Sequence, residues 1–207
     1  PTGVFFARGA IVQALSNRLR LQADWNQYPE IDAVRIDSPI FIIGLPRTGT
    51  TLLQNLLSLD QPRRNLLGWE AANPSRIRAA ERTTRLLDYL APQARSLHPV
   101  APQMPTECVT LFNNSFASLE LATIYQVWTY LEWCLHADLA PHYGYYHRQL
   151  KLLQWRNDRG CWLLKSPAHL FWLDELIEQF PDARIVQTHR DPLQAVVSFC
   201  SLASVLQ

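Results

Sequence analysis

The chain has 207 residues, of which 48% are hydrophobic and 18% are charged, so it is long enough to bury a sizeable core in one domain. With a formal net charge of +1, the protein has no strong overall positive potential that would attract nucleic acid. No apolar run is long enough to span a bilayer. The four cysteines are widely spaced without a C-x-x-C pair, which favours buried thiols in a reducing, cytoplasmic compartment over a zinc site or a disulfide framework.

Hydrophobic periodicity predicts the first elements of the chain. Apolar residues at helical spacing predict a leading helix over residues 4–24. Residues 40–45 form a continuous apolar run bounded by prolines, which predicts a strand buried on both faces, as in a parallel sheet. Residues 50–59 are predicted to form a helix, and residues 66–69 a short second strand. The predicted apolar face of that helix consists of Leu52, Leu53, Leu56 and Leu57.

The second half of the chain alternates helices and strands. Residues 75–90 are predicted to be helical, residues 91–106 form a proline-rich loop, and residues 107–157 are mostly helical. The later elements are a strand over 162–164, a helix near 168–180, a strand over 184–188 and a last helix that begins at Asp191 or Pro192. Because helices separate the strands, we predict an α/β fold with a parallel sheet.

We expect a single domain in four parts. Residues 1–38 form a leading helical segment, 39–70 a phosphate-loop unit, 71–160 a mostly helical insertion or lid, and 161–207 a second anion-binding unit. The chain lacks an initiator Met and ends inside an apolar helical pattern, so we expect it to be a segment of a longer protein. Six aromatic residues of the insertion either line an acceptor pocket or belong to the core: Trp128, Tyr130, Trp133, Tyr143, Tyr145 and Tyr146.

A phosphate-binding loop is the clearest motif. Gly44-Leu45-Pro46-Arg47-Thr48-Gly49-Thr50-Thr51 joins the buried strand at 40–45 to the next helix. Glycines allow the backbone to approach an anion, and the helix N-terminus adds partial positive charge. Compared with the nucleoside-triphosphatase pattern G-x-x-x-x-G-K-[ST], Thr50 replaces the lysine, while Arg47 supplies a cation within the loop.

Two further strand ends carry cations. Lys165 follows the strand at 162–164, and Arg190 follows the strand at 184–188. Ligands of open α/β sheets bind at the carboxyl ends of the strands, so we expect Arg47, Lys165 and Arg190 to converge on one polyanionic ligand.

These segments resemble a known family. The runs PIFIIGLPRTGTTLLQNLLS, WLLKSPAHL and FPDARIVQTHRDPLQAVVSFCSL are similar, in order and spacing, to sulfotransferases that use 3′-phosphoadenosine 5′-phosphosulfate (PAPS). The resemblance is strongest to the bacterial-type branch related to tyrosylprotein sulfotransferases. It implies a P-loop-containing three-layer fold, with a parallel sheet flanked by helices and a helical insertion. It also implies sulfuryl transfer from PAPS to a hydroxyl or amine, without a metal.

The resemblance also implies roles for individual residues. The 5′-phosphosulfate loop corresponds to Pro46, Arg47, Thr48, Gly49, Thr50 and Thr51. Arg190 and Ser198 correspond to the 3′-phosphate contacts, and Lys165 to the lysine that stabilises the sulfuryl group. Glu70 occupies the position of the catalytic glutamate in the protein-tyrosine branch.

The base that accepts the proton of the acceptor is predicted to be Glu70, with two alternatives. His169 titrates in a suitable range but starts a helix, where a structural role is also expected. Glu107 precedes a helical run, where a first-turn glutamate is ordinary.

Two other functions compete with sulfotransfer. One is a P-loop kinase or nucleoside-triphosphatase, which the cations at Lys165 and Arg190 argue against, and the other is a truncated, non-catalytic nucleotide-binding module. The sequence leaves the acceptor open between a small molecule, a glycan and a peptide, and it leaves the oligomeric state open.

Overall fold

The computed structural model describes residues 2–59, 63–72, 103–158 and 160–206. The chain divides into two compact units. The first consists of Pro1–Ile36, Val109–Asp158 and Phe171–Pro181, and the second of Asp37–Cys108, Arg159–Leu170 and Asp182–Gln207. The predicted helix over 75–90 and most of the predicted loop over 91–106 lie outside the described residues.

The second unit contains a four-stranded parallel sheet. Its strands are β1 (Ile40–Ile43), β2 (Arg63–Asn65), β3 (Cys161–Lys165) and β4 (Arg184–Gln187). Their order is β2-β3-β1-β4, and every neighbouring pair is parallel. Ile42 of the central strand β1 is in register with Lys165 of β3 and Val186 of β4. The predicted parallel sheet and the predicted strands at 40–45, 162–164 and 184–188 are therefore confirmed.

The predicted second strand is wrong in position. The structure places β2 at Arg63–Asn65 instead of residues 66–69, and Leu67 forms only an isolated antiparallel bridge with Pro105. A sequence pattern could not find β2 because its three residues are polar. Its place in the sheet comes from pairing with β3, where the Arg64 guanidinium lies 3.9 Å from the ring centroid of Trp162.

The described part of the second unit contains three helices. They are α2 (Thr50–Leu57), α3 (Gly68–Ala72) and α8 (Pro192–Leu206). Leu53 and Leu57 of α2 pack against Ile40, Ile42 and Leu163, on one face of the sheet. Leu52 and Leu56 are exposed, so only part of the predicted leucine face packs against the sheet. A 3₁₀ helix at Pro167–Phe171 follows β3 and carries His169 onto the other face, where its ring meets Phe41 edge-on.

The first unit is helical. It contains α1 (Thr2–Gln27), α4 (Leu119–Tyr125), α5 (Trp128–His136), α6 (Ala140–Arg156), α7 (Leu173–Gln179), a 3₁₀ helix at Pro29–Ala33 and most of another at Cys108–Ser115. These elements confirm the leading helix and the helical character of residues 107–157. None of the described helices is long and apolar enough to cross a membrane.

The core of the first unit separates the aromatic residues into two groups. Leu21, Trp25, Ile31 and Leu152 form one buried cluster. Tyr143 and Tyr146 are buried, and Phe112 stacks on Tyr146 at a centroid distance of 4.9 Å. Trp128 is 66% exposed and Trp133 is 46% exposed. The core interpretation therefore fits the two tyrosines and does not fit these two tryptophans.

Candidate active site

The phosphate loop lies between β1 and α2, as the sequence predicted. Gly44 has φ 148°, and a Cβ atom at this position would lie 2.7 Å from the Thr188 carbonyl oxygen and even closer to its hydroxyl. Only glycine fits there. Gly49, the N-cap of α2, has φ 93° and open space where a side chain would be, so the backbone at the helix start is accessible. Exposed backbone N–H groups at a helix start are the arrangement by which proteins bind anions.

The loop is tied to the end of β4. The hydroxyl groups of Thr48 and Thr188 lie 2.6 Å apart, and Thr48 Oγ1 also donates to the Leu45 carbonyl at 2.7 Å. Thr188 N donates to the Ile43 carbonyl at 2.9 Å and so extends the pairing of β1 and β4 beyond the strands. Sequence patterns did not identify Thr188, because its role depends on this contact with a loop 140 residues earlier in the chain.

Three residues predicted to contact the ligand meet beside the loop. Arg47 has a left-handed backbone with φ 70°, and its Nε donates to Ser198 Oγ at 3.0 Å. Arg190 Nη1 donates to the Arg47 carbonyl at 3.3 Å, and two other nitrogens of the same guanidinium bind Gln194 Oε1. Asp191 Oδ1 accepts hydrogen bonds from the first-turn N–H groups of Leu193 and Gln194, and so it caps α8.

Lys165 joins the loop to a carboxylate. It ends β3 on the sheet face that carries α2, and its side chain is only 2% exposed. The ammonium donates to Glu107 Oε1 at 2.7 Å and to Thr51 Oγ1 at 3.4 Å. The Glu107 side chain is 27% exposed, so this carboxylate is open to solvent on one side. The candidates for the base are Glu70, Glu107 and His169. Lys165 links Glu107 to the loop, because its ammonium group binds both Glu107 and Thr51.

Glu70 is held by another cation. Arg64 binds both of its carboxylate oxygens, with Nη2 to Oε1 at 2.8 Å and Nη1 to Oε2 at 3.3 Å. Leu67 N also donates to Oε2 at 3.0 Å, and the side chains of Arg64 and Glu70 are each 3% exposed. A buried bidentate ion pair of this kind fixes the turn between β2 and α3. The sequence did not identify Arg64 as the partner, because it lies in the strand that the hydrophobic pattern missed.

His169 is buried at the start of the segment after β3. Burial lowers its pKa to about 3, so the imidazole stays neutral across the working range of most enzymes. Its Nε2 lies 3.2 Å from the thiol sulfur of Cys108, and its ring packs edge-on against Phe41 at 5.3 Å. Cys108 Sγ also donates to the Lys165 carbonyl at 3.3 Å. Sequence patterns did not identify Cys108 as a residue of the site.

The site that emerges is an anion-binding strand–loop–helix with cations at the ends of three parallel strands. Within the described ranges, no group of three or more His, Cys, Asp or Glu side chains could hold a metal ion. Arg47, Lys165 and Arg190 offer guanidinium and ammonium donors, and Thr51 and Ser198 offer hydroxyl groups. Such a donor set suits a ligand with several anionic groups.

Comparison with known proteins identifies the class. Residues 39–207 match the model of the sulfotransferase family, so the chain belongs to this family. The α/β fold with a parallel sheet flanked by helices agrees with solved members. A sulfotransferase STF9 of Mycobacterium avium superimposes with a TM-score of 0.83 at 30% identity, over 100% of this chain and 56% of the other. STF1 of Mycobacterium tuberculosis gives 0.76 at 37% identity, over 97% and 57%.

A curated relative is also similar in sequence. The omega-hydroxy-beta-dihydromenaquinone-9 sulfotransferase Stf3 of Mycobacterium bovis is 28% identical over 171 residues, which are 78% of this chain and 44% of the relative. The same protein of Mycobacterium tuberculosis matches equally well. The chain thus spans about half the length of the curated relatives it matches.

Proposed function

We propose that the protein is a sulfotransferase that moves a sulfuryl group from PAPS to a hydroxyl group of an organic acceptor. The observation that carries the proposal is the position of the Lys165 ammonium, which donates hydrogen bonds to Thr51 of the phosphate loop and to the partly exposed carboxylate of Glu107. A cation and a carboxylate beside an anion-binding loop are what group transfer to a hydroxyl requires. Membership of the sulfotransferase family supports the choice of a sulfuryl group over a phosphoryl group.

The residues of the site fit PAPS in number and charge. PAPS supplies an activated sulfuryl group on a 5′-phosphate, together with a 3′-phosphate. Within the loop residues 46–51, the backbone N–H groups of residues 47–51 and the Thr50 and Thr51 hydroxyls would hold the 5′ side. Arg190 and Ser198 would hold the 3′-phosphate, and Arg47, which contacts both residues, would connect the two ends of the site. We propose that no metal takes part, since Arg47, Lys165 and Arg190 supply the positive charge.

Glu107 is our proposed general base. Its carboxylate lies beside the loop and is accessible, whereas both oxygens of Glu70 are bound to Arg64. The sequence-based choice of Glu70 remains a prediction, and its buried ion pair with Arg64 supports a structural role for it instead. His169 is neutral and buried, which favours a supporting role over proton exchange with a substrate.

The acceptor is proposed to be a lipophilic small molecule with a hydroxyl group. The support is the identity of the curated relative, which is an omega-hydroxy-beta-dihydromenaquinone-9 sulfotransferase. A cytoplasmic site of action remains a proposal that rests on the thiol state of the cysteines.

The kinase or nucleoside-triphosphatase alternative lacks two parts of its usual site. Thr50 replaces the lysine that contacts the β- and γ-phosphates, and the neighbouring strand β3 ends in Lys165 where an acidic Mg²⁺ ligand is expected. The geometry therefore favours sulfotransfer.

Calorimetry of the full-length protein with adenosine 3′,5′-bisphosphate, the product of PAPS, tests the proposal directly. We expect binding that Arg190→Ala weakens by at least about 10-fold, because a charge-assisted contact to the 3′-phosphate is lost. ATP with Mg²⁺ is the matched competitor, and it lacks the 3′-phosphate. Tighter binding of ATP, or equal binding of both ligands, would overturn the assignment.

A further inference from the structure

We infer that Cys108 and His169 form a buried positioning pair that holds Glu107 and Lys165 in the arrangement needed for transfer. The inference rests on the proposed function and adds two residues to it. Both side chains are almost completely buried, and Cys108 Sγ lies 3.2 Å from His169 Nε2. The proposal gives both residues a positioning role, in which they act on the reaction through Glu107 and Lys165.

The thiol connects the two segments that carry the proposed reacting groups. Cys108 directly follows Glu107, and its sulfur donates to the carbonyl of Lys165 at 3.3 Å. The ammonium of the same lysine binds the Glu107 carboxylate at 2.7 Å. Residues 107–108 are therefore joined to Lys165 twice, once through the ion pair and once through the thiol. The two links together restrict how far the carboxylate can move along the end of β3.

His169 anchors this arrangement to the sheet. Its ring packs edge-on against Phe41 of the central strand β1, and it lies on the 3₁₀ helix that directly follows β3. A neutral imidazole with its proton on Nε2 donates to the Cys108 sulfur, which in turn donates to the Lys165 carbonyl. Donor and acceptor then alternate along one short chain, and each hydrogen bond orients the next. The low pKa of His169 keeps the imidazole neutral at every pH at which the enzyme would be assayed.

The position of Glu107 matters because proton transfer depends steeply on geometry. A displacement of about 1 Å can cost on the order of 100-fold in rate. Removing the thiol leaves the ion pair intact but releases the backbone beside it. Because the ion pair remains, we expect Cys108→Ala to lower kcat by about 10-fold, which is less than the roughly 100-fold effect of a 1 Å displacement. The KM for PAPS should change little. Cys108→Ser keeps a donor of similar size and should restore most of the lost turnover.

The experiment uses the full-length protein with PAPS and farnesol, an isoprenoid alcohol, as the acceptor probe. Cys108→Ala, Cys108→Ser and His169→Ala are compared by kcat, KM and affinity for adenosine 3′,5′-bisphosphate. Cys134→Ala is the matched control, because Cys134 is an equally buried thiol in the first unit. This variant should lose stability to a similar extent but keep kcat. Equal loss of kcat in the Cys108 and Cys134 variants would show that only core packing is affected, and would overturn the inference.

A double-mutant cycle separates positioning from general destabilisation. If Cys108 acts through Glu107, Cys108→Ala should lower kcat about 10-fold in the wild-type background and by less than about 2-fold in the Glu107→Gln background. Additive losses would refute the positioning pair. The failure of the proposed function looks different: Glu107→Gln would then retain full turnover, or the protein would not bind adenosine 3′,5′-bisphosphate.

Discussion

The Lys165 ammonium is almost completely buried and donates hydrogen bonds to two side chains. With 2% of the side chain exposed, water cannot stabilise the charge, so Glu107 and Thr51 take over that role. An anionic ligand in the loop would add a further partner for the same cation. Lys165 therefore connects the Glu107 carboxylate to the loop, so that ligand binding in the loop would change the environment of the carboxylate.

Glu107 and Glu70 make a matched pair for testing the base. We expect Glu107→Gln to lower kcat by about 10²- to 10⁴-fold, because the general base is lost, while adenosine 3′,5′-bisphosphate still binds. Glu70→Gln should instead destabilise the fold by roughly 3 kcal/mol, because it removes one partner of a buried ion pair. Steady-state kinetics and urea unfolding of both variants measure the two effects. The opposite pattern, with turnover lost only in Glu70→Gln, would return the base to Glu70.

The buried imidazole of His169 predicts how stability changes with pH. Burial lowers its pKa from 6.5 to about 3, so between these values the unfolded state binds a proton that the folded state does not. The free energy of unfolding must therefore fall as the pH falls through this window. From pH 7 to pH 5 this histidine should account for a loss of about 2 kcal/mol. Urea unfolding at both pH values should show a smaller loss for His169→Gln than for the wild type, and identical losses would contradict the assignment.

At the scale of elements, the strand–loop–helix depends on two glycines for different reasons. Gly44 needs both a positive φ and the absence of a side chain, whereas Gly49 needs only the positive φ. Gly44→Ala should therefore weaken binding of adenosine 3′,5′-bisphosphate more than Gly49→Ala, because a methyl group would push the loop away from Thr188. Gly49→Ala should cost only about 1 kcal/mol of backbone strain. Calorimetry and thermal unfolding of the two variants compare these effects, and equal losses of affinity would count against the steric argument.

Strands with a buried hydrophobic run were predictable, and β2 was not. β1 and β3 are short and almost fully buried, and a continuous run of apolar residues is enough to predict such strands. β2 reads as a polar turn, since its residues are Arg63, Arg64 and Asn65. Its position depends on pairing with β3 and on the contact between Arg64 and Trp162, which lie far apart in sequence. Local patterns contain no information on such contacts.

The same distinction applies to the candidate site. The loop and the cations at the strand ends follow from topology, because parallel strands end at one edge of the sheet. The pairing of Lys165 with Glu107 joins residues 58 positions apart, and that of Cys108 with His169 joins residues 61 positions apart. Only the fold shows which carboxylate lies beside the loop.

At the scale of the molecule, the predicted ligand contacts all belong to the second unit. Arg47, Thr51, Lys165, Arg190 and Ser198 lie within Asp37–Cys108, Arg159–Leu170 or Asp182–Gln207. A ligand that binds the folded form at 100 times its Kd stabilises it by about 2.7 kcal/mol. Hydrogen exchange should therefore slow by up to about 100-fold in β1, β3 and β4 when adenosine 3′,5′-bisphosphate is added, and by less in α6. Uniform slowing in both units would contradict a site confined to the second.

The burial of the cysteines has a practical consequence. All four lie in the described part of the chain and carry thiols instead of disulfides, with Cys200 exposed, Cys161 partly covered, and Cys108 and Cys134 buried. A thiol reagent can modify the two buried sulfurs only when the surrounding structure opens. Cys108 belongs to the second unit and Cys134 to the first, so the native sequence already contains one buried thiol in each. The labelling rates of these two thiols would report the local opening of each unit separately, without any introduced probe.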